Sequence, residues 1–153
     1  MLAKIYPLVP LVFEDCQSAA HLHQKVFFKG WKENDFREFL ENPLIFSLKV
    51  EKDHELIGYI MWREVKDEAE LLTLVVSTPY QNKGIGSVLL GRCITILKEK
   101  HILNVFLEVA EDNHVAKSFY IKHDFILLSK RPHYYPRPGK KKISALNFFK
   151  KLV

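Results

Sequence analysis

The hydrophobic and polar positions of the chain follow two periods, one typical of strands and one typical of helices. Residues 71–76 are almost continuously apolar and rich in β-branched types, which predicts a buried strand. The apolar positions that follow recur at helical spacings: Val88, Leu89, Ile94 and Leu97. They predict a helix over residues 87–100. This strand, the loop after it and this helix form the unit around which the other predicted elements are arranged.

The same two periods, followed along the whole chain, predict an alternating series of strands and helices. Predicted strands cover residues 3–9, 44–50, 55–64, 69–76, 104–109, 125–130 and 143–150. Predicted helices cover residues 14–27, a short segment capped by Asn34 or Asp35 that ends at Leu40, and residues 87–100 and 113–122. Because there is no internal repeat and no low-complexity linker, this order indicates one α/β domain over residues 1–153.

Composition narrows the class of protein without identifying it. Of the 153 residues, 48% are hydrophobic and 27% are charged, which is ordinary for a globular protein. No apolar run reaches the roughly 18 residues of a membrane helix. Residues 1–13 lack a small-residue cleavage site, so we expect a first strand there and not a signal peptide. Cys16 and Cys93 are isolated, which argues against a disulfide framework and indicates a reduced cytoplasm.

The net charge of +5 is concentrated at the C-terminal end of the chain. From residue 130 onwards there are eight basic residues and no acidic one, whereas the remaining residues carry 15 basic and 18 acidic side chains. Such a segment can indicate a nucleic acid, a ribosome or an anionic ligand as the partner. It can equally be an edge strand that lysines protect from aggregation. Few aromatic residues lie among these lysines, which makes direct nucleic-acid binding the weaker interpretation.

The loop between the central strand and helix has the properties of a phosphate site. Residues 77–86 contain two glycines, Gly84 and Gly86, and no acidic residue. A helix N-terminus leaves backbone N–H groups unpaired and carries a partial positive charge, and glycine lets the backbone approach an anion closely. The P-loop pattern is absent, since Lys83 precedes the glycine, and only the GxG half of a dinucleotide fingerprint is present.

The pattern Gln81-x-x-Gly84-x-Gly86 resembles the acetyl-CoA pyrophosphate loop of the GNAT N-acetyltransferase superfamily, whose signature is Q/R-x-x-G-x-G/A. The resemblance continues in the right order from about Phe28 to Pro136, and is strongest to bacterial RimI-type enzymes, which acetylate the N-terminal alanine of a small-subunit ribosomal protein. The similar stretches are Phe28-Lys29-Gly30-Trp31 with Phe36, Leu40 and Asn42-Pro43, then Gly58-Tyr59-Ile60, residues 67–72, Leu107-Glu108-Val109, Asn113, Ser118-Phe119-Tyr120 and Tyr134-Tyr135-Pro136.

This resemblance implies a mixed central sheet of about seven strands flanked by about four helices, with acetyl-CoA as co-substrate. The residues it implies for acetyl-CoA lie in the loop, in the first turn of the following helix and at the end of the preceding strand, with one asparagine at the start of a later helix. They are Gln81, Asn82, Lys83, Gly84, Ile85, Gly86, Ser87, Leu74, Val75, Val76 and Asn113. The strand would contribute backbone groups at a splayed end, pairing with the pantetheine arm, while its side chains belong to the core. Lys83 can also be an ordinary solvated lysine.

Glu108 is the candidate general base. It interrupts the apolar strand Val105–Val109, where removing a carboxylate from water favours its neutral form and suits proton transfer near neutrality. RimI-type enzymes have their base at the matching Leu-Glu-Val position. The alternative is an outward-facing residue on the wet face of the strand.

Tyr120 is the candidate general acid. It lies seven residues after Asn113, so both side chains can face one cleft, and a phenol can protonate a departing thiolate. Packing alone would also explain a helical tyrosine. Asn113 can be a helix cap, a role that Asp112 could serve as well.

Tyr134 and Trp31 are the candidate acceptor-binding residues. Tyr134 follows the sixth predicted strand, where the superfamily contacts its acceptor, and Trp31 lies in a predicted helix–helix loop that could form the opposite wall. A hydrophobic lid over the end of the sheet would have the same sequence. The seven histidines show no metal-ligand spacing, so we expect no metal.

Two departures from the family pattern concern stability and the acceptor. Asp124 replaces a glycine after the Tyr120 helix, where it would have to adopt a left-handed conformation. Residues 140–142 are three lysines where RimI-type enzymes carry acidic residues, which puts the acceptor in doubt and leaves the co-substrate unaffected.

Three functions follow in order of preference. The first is an N-α-acetyltransferase acting on a protein or peptide N-terminus, with a ribosomal protein as the implied partner and no membrane involvement. The second is a related enzyme that acetylates a small-molecule amine or a lysine. The third is a non-catalytic module that binds coenzyme A or RNA, against which the retained Glu108 and Tyr120 argue.

Overall fold

Six strands and four α-helices make up most of residues 6–153, the part of the chain that the computed structural model describes. In chain order they are α1 (Cys16–Val26), α2 (Glu33–Glu41), β1 (Ile45–Lys52), β2 (Glu55–Val65), β3 (Glu68–Val76), α3 (Ile85–Glu99), β4 (Asn104–Ala110), α4 (His114–Lys122), β5 (Ile126–Arg137) and β6 (Lys140–Lys151). The α/β class is confirmed, with six strands for the expected seven or so. Of the predicted strand at residues 3–9, residues 3–5 lie outside the described residues, and in the described part only Val9 pairs, through a single bridge to Lys49.

The sheet has the order β1-β2-β3-β4-β6-β5. Its neighbouring strands are antiparallel except for β3 and β4, which are parallel. The parallel pairing covers only Glu68–Glu70 against Asn104–Phe106, so the two strands diverge towards their C-terminal ends. A wedge therefore opens in the middle of the sheet, bounded by the end of β3 and the end of β4.

Helices cover both faces of the sheet and bury a separate cluster of apolar side chains on each. On one face α3 and α4 pack Leu89, Leu97 and Tyr120 against Leu107 of β4. On the other face α1 and α2 pack Ala19 and Phe36 against β2 and β3. A bulge at Leu72 shifts the register between β2 and β3, since Leu71 pairs with Trp62 but Thr73 pairs with Met61.

The starts of two helices differ from the predictions for local reasons. Lys32, and not Asn34 or Asp35, is the N-cap of α2, while the Asp35 carboxylate accepts a 2.8 Å hydrogen bond from the Lys32 N–H. Helix α3 begins at Ile85, two residues earlier than predicted, because Gly84 adopts φ +84° and its carbonyl accepts from Val88 N–H. Asp124 does adopt the left-handed conformation expected of it, with φ +67°.

Strands β5 and β6 form a hairpin longer than the sequence predicts. The sequence predicted a strand that ends at Lys130, but β5 continues to Arg137 with bulges on the way. Proline is tolerated because β5 is the edge strand, where a missing N–H leaves no partner unpaired. Tyr134, expected after the strand, therefore lies inside it.

Among the helices of residues 6–153, the longest and most apolar is still too short and polar to cross a bilayer.

Candidate active site

The loop between β3 and α3 presents backbone donors to solvent. Asn82 and Gly84 both have positive φ, +60° and +84°, and a Cβ added at Gly84 would meet nothing within 4 Å. The N–H groups of Ile85, Gly86 and Ser87 lie in the first turn of α3, where the helix offers them no acceptor. An open loop that aims N–H groups outward from a helix N-terminus is suited to a phosphate.

Gly86 lies at the entrance to the wedge between the strands. A Cβ added there would lie 3.5 Å from Cε1 of Phe119 and 3.9 Å from Cγ2 of Val76. Ser87 shares a 3.0 Å hydrogen bond with Nε2 of His123 at the end of α4. The loop is thus seated against α4 and the end of β3, and a longer side chain at Gly86 would enter the space between them.

The end of β3 has one paired and one unpaired edge. Leu74, Val75 and Val76 pair with β2, but towards β4 no pairing extends beyond Glu70 among the described residues. This is the splayed strand end that the sequence resemblance implied. The Gln81 side chain donates a 2.9 Å hydrogen bond from Nε2 to the carbonyl of Val76, so it fastens the loop to the strand. Lys83 is exposed, with its ammonium 5.8 Å from the Tyr80 ring centroid.

Glu108 lies on β4 on the face opposite the α3–α4 core. Its neighbours Leu107 and Val109 are buried in that core, and alternation turns the carboxylate to the other side. The side chain is 27% exposed, and Oε2 lies 3.3 Å from Nη2 of Arg131. The pair lacks hydrogen-bond geometry, and Oε2 is shielded from solvent without accepting any hydrogen bond. A carboxylate oxygen in this state can accept a hydrogen bond from a third group.

Arg131 of β5 lies against this carboxylate, and Tyr134 and Tyr135 follow it on the same strand. The guanidinium carbon of Arg131 lies 4.4 Å from the Tyr134 ring centroid, and the two tyrosine rings lie 5.0 Å apart. Burial, together with the charge of Glu108, raises the pKa of Tyr135 to about 12. Sequence reasoning missed Arg131, because its partner on β4 depends on the register of three strands. The adjacent tyrosine pair was visible, but Tyr135 was not singled out.

Tyr120 is buried on the α3–α4 side of the sheet and is 8% exposed. Its ring packs edge-on against Phe119 and Phe125, with centroids 5.2 and 5.5 Å away. Burial raises the pKa of the Tyr120 phenol above its ordinary value. The phenol therefore stays protonated at neutral pH and has a proton to donate. Asn113 caps α4, with its Oδ1 accepting a 3.1 Å hydrogen bond from Ala116 N–H.

Trp31 is held by a histidine that sequence reasoning did not identify. The Trp31 N–H donates to Nδ1 of His23 at 3.0 Å, and the two rings stack with centroids 4.4 Å apart. Because Nδ1 accepts, Nε2 carries the proton and donates it to Oγ1 of Thr73 on β3, at 3.1 Å. Trp31 is half-buried against Phe36 and Phe39, and the described residues show no ring contact between it and Tyr134.

The site residues thus lie around the wedge from two sides. The loop, Gly86 and Tyr120 belong to the α3–α4 side, whereas Glu108, Arg131 and the tyrosines belong to the opposite side. Two open surface clefts of about 390 and 520 Å³ lie elsewhere, and neither is lined by Glu108 or Tyr120. Residues 6–153 contain no cluster of three metal-ligating side chains.

Comparisons with known proteins agree with this geometry. The model of the acetyltransferase (GNAT) family matches residues 16–125. A [ribosomal protein bS18]-alanine N-acetyltransferase of Haemophilus influenzae is 38% identical over 93 residues, covering 61% of this chain and 63% of that enzyme, just under two thirds of its length. A Bacillus subtilis protein provisionally assigned the same activity is 30% identical over 127 residues, covering 82% of this chain and 84% of that protein.

The solved structures give the same fold. The Escherichia coli ribosomal-protein-S18-alanine N-acetyltransferase superposes with a TM-score of 0.88 at 23% identity, covering 96% of this chain and 94% of the other. Similar structures hold coenzyme A or acetyl-CoA, and another matched sequence is named as a spermidine acetyltransferase. The family match spans well over half of the chain. The chain is therefore an acyltransferase that belongs to the GNAT acetyltransferase family.

Proposed function

We propose that this chain is an acetyl-CoA-dependent N-α-acetyltransferase of protein N-termini, with the N-terminal alanine of a small-subunit ribosomal protein as its candidate acceptor. The observation that carries the proposal is the Glu108 carboxylate, whose Oε2 is shielded, accepts no hydrogen bond and lies 3.3 Å from Arg131 of β5. The matched ribosomal-protein enzymes of Haemophilus influenzae and Bacillus subtilis support the choice of acceptor.

The residues present fit acetyl-CoA. The open glycine loop can bind the pyrophosphate through charge-assisted hydrogen bonds from its backbone, each worth roughly 1.5–3 kcal/mol. Gly86 leaves space beside Phe119, and the unpaired edge of β3 offers backbone groups to an extended pantetheine arm. When bound, acetyl-CoA supplies an activated acetyl thioester. A backbone N–H at the end of β3 would polarise its carbonyl.

Two side chains would move the protons of the reaction. Glu108 accepts a proton from the acceptor amine, directly or through a water, so that the neutral nitrogen can form the new C–N bond. Tyr120 donates its phenolic proton to the sulfur as the C–S bond breaks. The phenol is protonated at neutral pH, and because burial raises its pKa it gives up the proton only to a strong base beside it, such as a departing thiolate.

An α-amine is the acceptor that needs least assistance. The amine of a protein N-terminus has a pKa near 8, against about 10.4 for lysine, so one carboxylate suffices as a base at neutral pH. Tyr134, which is 43% exposed, and Trp31 are our candidates for contacting the first residues of an extended peptide.

The free thiols of Cys16 and Cys93 agree with a reduced cytoplasm as the location.

The deciding experiment locates the acetyl group on the product. A short peptide that begins with alanine and contains one internal lysine should be acetylated at the α-amine, and blocking that amine should end turnover. Glu108→Gln should lower kcat by roughly 10²–10⁴-fold, the usual contribution of a general base. Product mass spectrometry distinguishes the two amines. An acetyl group on lysine, or faster turnover of spermidine than of any peptide, would favour the small-amine or lysine function.

A further inference from the structure

The hairpin of β5 and β6 extends beyond the rest of the sheet, next to the candidate acceptor site. The last residue of β4, Ala110, pairs with Ala145, so residues 140–143 lie past the end of β4. Asp112, just before α4, fixes this extension through two 2.8 Å hydrogen bonds from the Arg137 guanidinium. Gly139, with φ +63°, turns the chain at its tip. The extension therefore has a defined position relative to Glu108.

The charges on this extension are unbalanced. Each acidic side chain nearby already pairs with a basic side chain of β5: Glu108 with Arg131, Glu111 with Lys130 and Asp112 with Arg137. The consecutive Lys140, Lys141 and Lys142 are all exposed and form no ion pair within residues 6–153. Three adjacent cations without counter-charges attract an anionic partner.

The distance from the candidate base to these lysines corresponds to a short peptide. Glu108 pairs with Asn147, and Lys142 and Lys140 lie five and seven residues further along the same strand. At about 3.3 Å per residue, the lysines lie roughly 16–23 Å from the site of the amine. A peptide that starts at Glu108 and runs along the hairpin reaches them with about its fifth to eighth residues.

We propose that this extension selects acceptor N-termini that carry acidic side chains at about positions five to eight. The inference rests on the proposed N-α-acetyltransferase function and specifies its substrate class. An acidic peptide fits better than a nucleic acid, because the lysines lie on the same hairpin as Arg131 and Tyr134 and few aromatic rings lie among them for bases to stack on.

The test compares three peptides that begin with the same four residues and differ at positions five to eight, which are acidic, neutral or basic. We expect kcat/KM to be on the order of tenfold higher for the acidic than for the neutral peptide, mainly through KM, since exposed ion pairs are individually weak. The basic peptide should be poorer than the neutral one. The preference should shrink as ionic strength rises and the screening length falls below about 8 Å.

Two triple variants change the net charge by the same amount. They show whether the peptide preference depends on these three lysines or on the net charge of the whole protein. Replacing Lys140, Lys141 and Lys142 by glutamate should invert the order of the three peptides and leave turnover of the neutral peptide within about twofold. The control replaces Lys66, Lys98 and Lys151, which are exposed, free of ion pairs among the described residues and located at the opposite end of the sheet. It should retain the wild-type order.

The outcomes distinguish the inference from the function on which it rests. If no peptide is acetylated at its α-amine, the proposed function is wrong. If the neutral peptide is acetylated but the acidic one is no better, or if the control variant shifts the preference equally, the charge selection is wrong. The same follows if a short RNA binds through the three lysines, measured by fluorescence anisotropy, while the peptides show no preference.

Discussion

One polar atom of this site is shielded from solvent and accepts no hydrogen bond. Such an atom lowers the stability of the fold unless another interaction offsets the cost. Glu108 Oε2 is shielded from solvent and lies 3.3 Å from Arg131 without accepting a hydrogen bond. Leaving a buried polar atom unpaired costs roughly 1–3 kcal/mol. Glu108 lies on β4 beyond the point where that strand stops pairing with β3, so a bound substrate can supply the missing partner.

The Tyr120 hydroxyl can be removed without disturbing the packing of its ring. Tyr120→Phe keeps the edge-on contacts with Phe119 and Phe125, so the fold and the affinity for acetyl-CoA should be unchanged. If the phenol protonates the thiolate, kcat should fall by roughly 10²–10⁴-fold. Steady-state kinetics and isothermal calorimetry measure the two quantities separately. A kcat within twofold of wild type would show that Tyr120 serves packing alone.

At the scale of elements, the chemistry depends on how the start of α3 meets the end of β3. The Gln81 side chain fastens the loop to Val76, and Ser87 fastens the first turn to His123 of α4. These contacts hold the first-turn N–H groups in place before any ligand arrives. A preorganised site of this kind binds an anion without a further ordering cost.

Gly86 allows this element to be tested with a matched pair of variants. Gly86→Ala adds a Cβ at an ordinary van der Waals distance from Phe119, so acetyl-CoA should still bind and raise the melting temperature. Gly86→Glu extends a negative charge into the entrance of the wedge and should abolish that rise. Differential scanning fluorimetry of both variants measures the effect. Equal stabilisation by acetyl-CoA in the two would contradict the loop assignment.

The sequence predicted those parts of the structure that depend on neighbouring residues. The strand–loop–helix unit follows from apolar periodicity and two glycines, and Asn113 was correctly recognised as a candidate cap. The predicted cap of α2 was wrong, because Asp35 lies at the third helical position and accepts a hydrogen bond from the Lys32 N–H, so the helix begins at Glu33. The length of the β5–β6 hairpin was also underestimated. A strand at the edge of a sheet can contain proline, but the sequence does not reveal which strand lies at the edge.

Residues whose partners are distant in the chain were the ones that sequence reasoning missed. Arg131 meets Glu108 only because β6 lies between β4 and β5, an order that periodicity does not reveal. His23 was one of seven histidines without a distinguishing pattern, yet it bonds to Thr73, fifty residues away in the sequence. Both contacts are products of topology, which is why local propensity gave no signal for them.

At the scale of the whole molecule, His23 joins three elements on the face covered by α1 and α2. His23 lies on α1. It accepts a hydrogen bond from the backbone N–H of Trp31, which precedes α2, and donates one to Thr73 of β3. Burial lowers the pKa of His23 from 6.5 to about 4. Protonation would place a second N–H opposite the Trp31 N–H, so this junction requires the neutral ring.

The lowered pKa makes overall stability depend on pH in a defined direction. Above pH 6.5 His23 is neutral in both the folded and the unfolded chain, so it adds no pH dependence there. Between pH 6.5 and about 4 the unfolded chain binds a proton that the folded chain does not, so the free energy of unfolding falls as pH decreases. The total loss should be on the order of 3 kcal/mol, from 1.36 kcal/mol per pKa unit. Below pH 4 this contribution should level off.

His23→Gln isolates this effect, because a glutamine amide can accept from Trp31 and donate to Thr73 but does not titrate. Urea unfolding at pH 7.0 and pH 4.5 should show a smaller loss of stability in the variant than in wild type. The control is His21→Gln, an exposed position on the same helix, which should keep the wild-type pH dependence. Paired carboxylates such as Asp112, whose pKa is lowered by hydrogen bonding to Arg137, weaken all three proteins alike as pH falls. The difference between the proteins therefore reports His23 alone, and identical pH dependence in His23→Gln and wild type would show that the junction does not depend on the neutral imidazole.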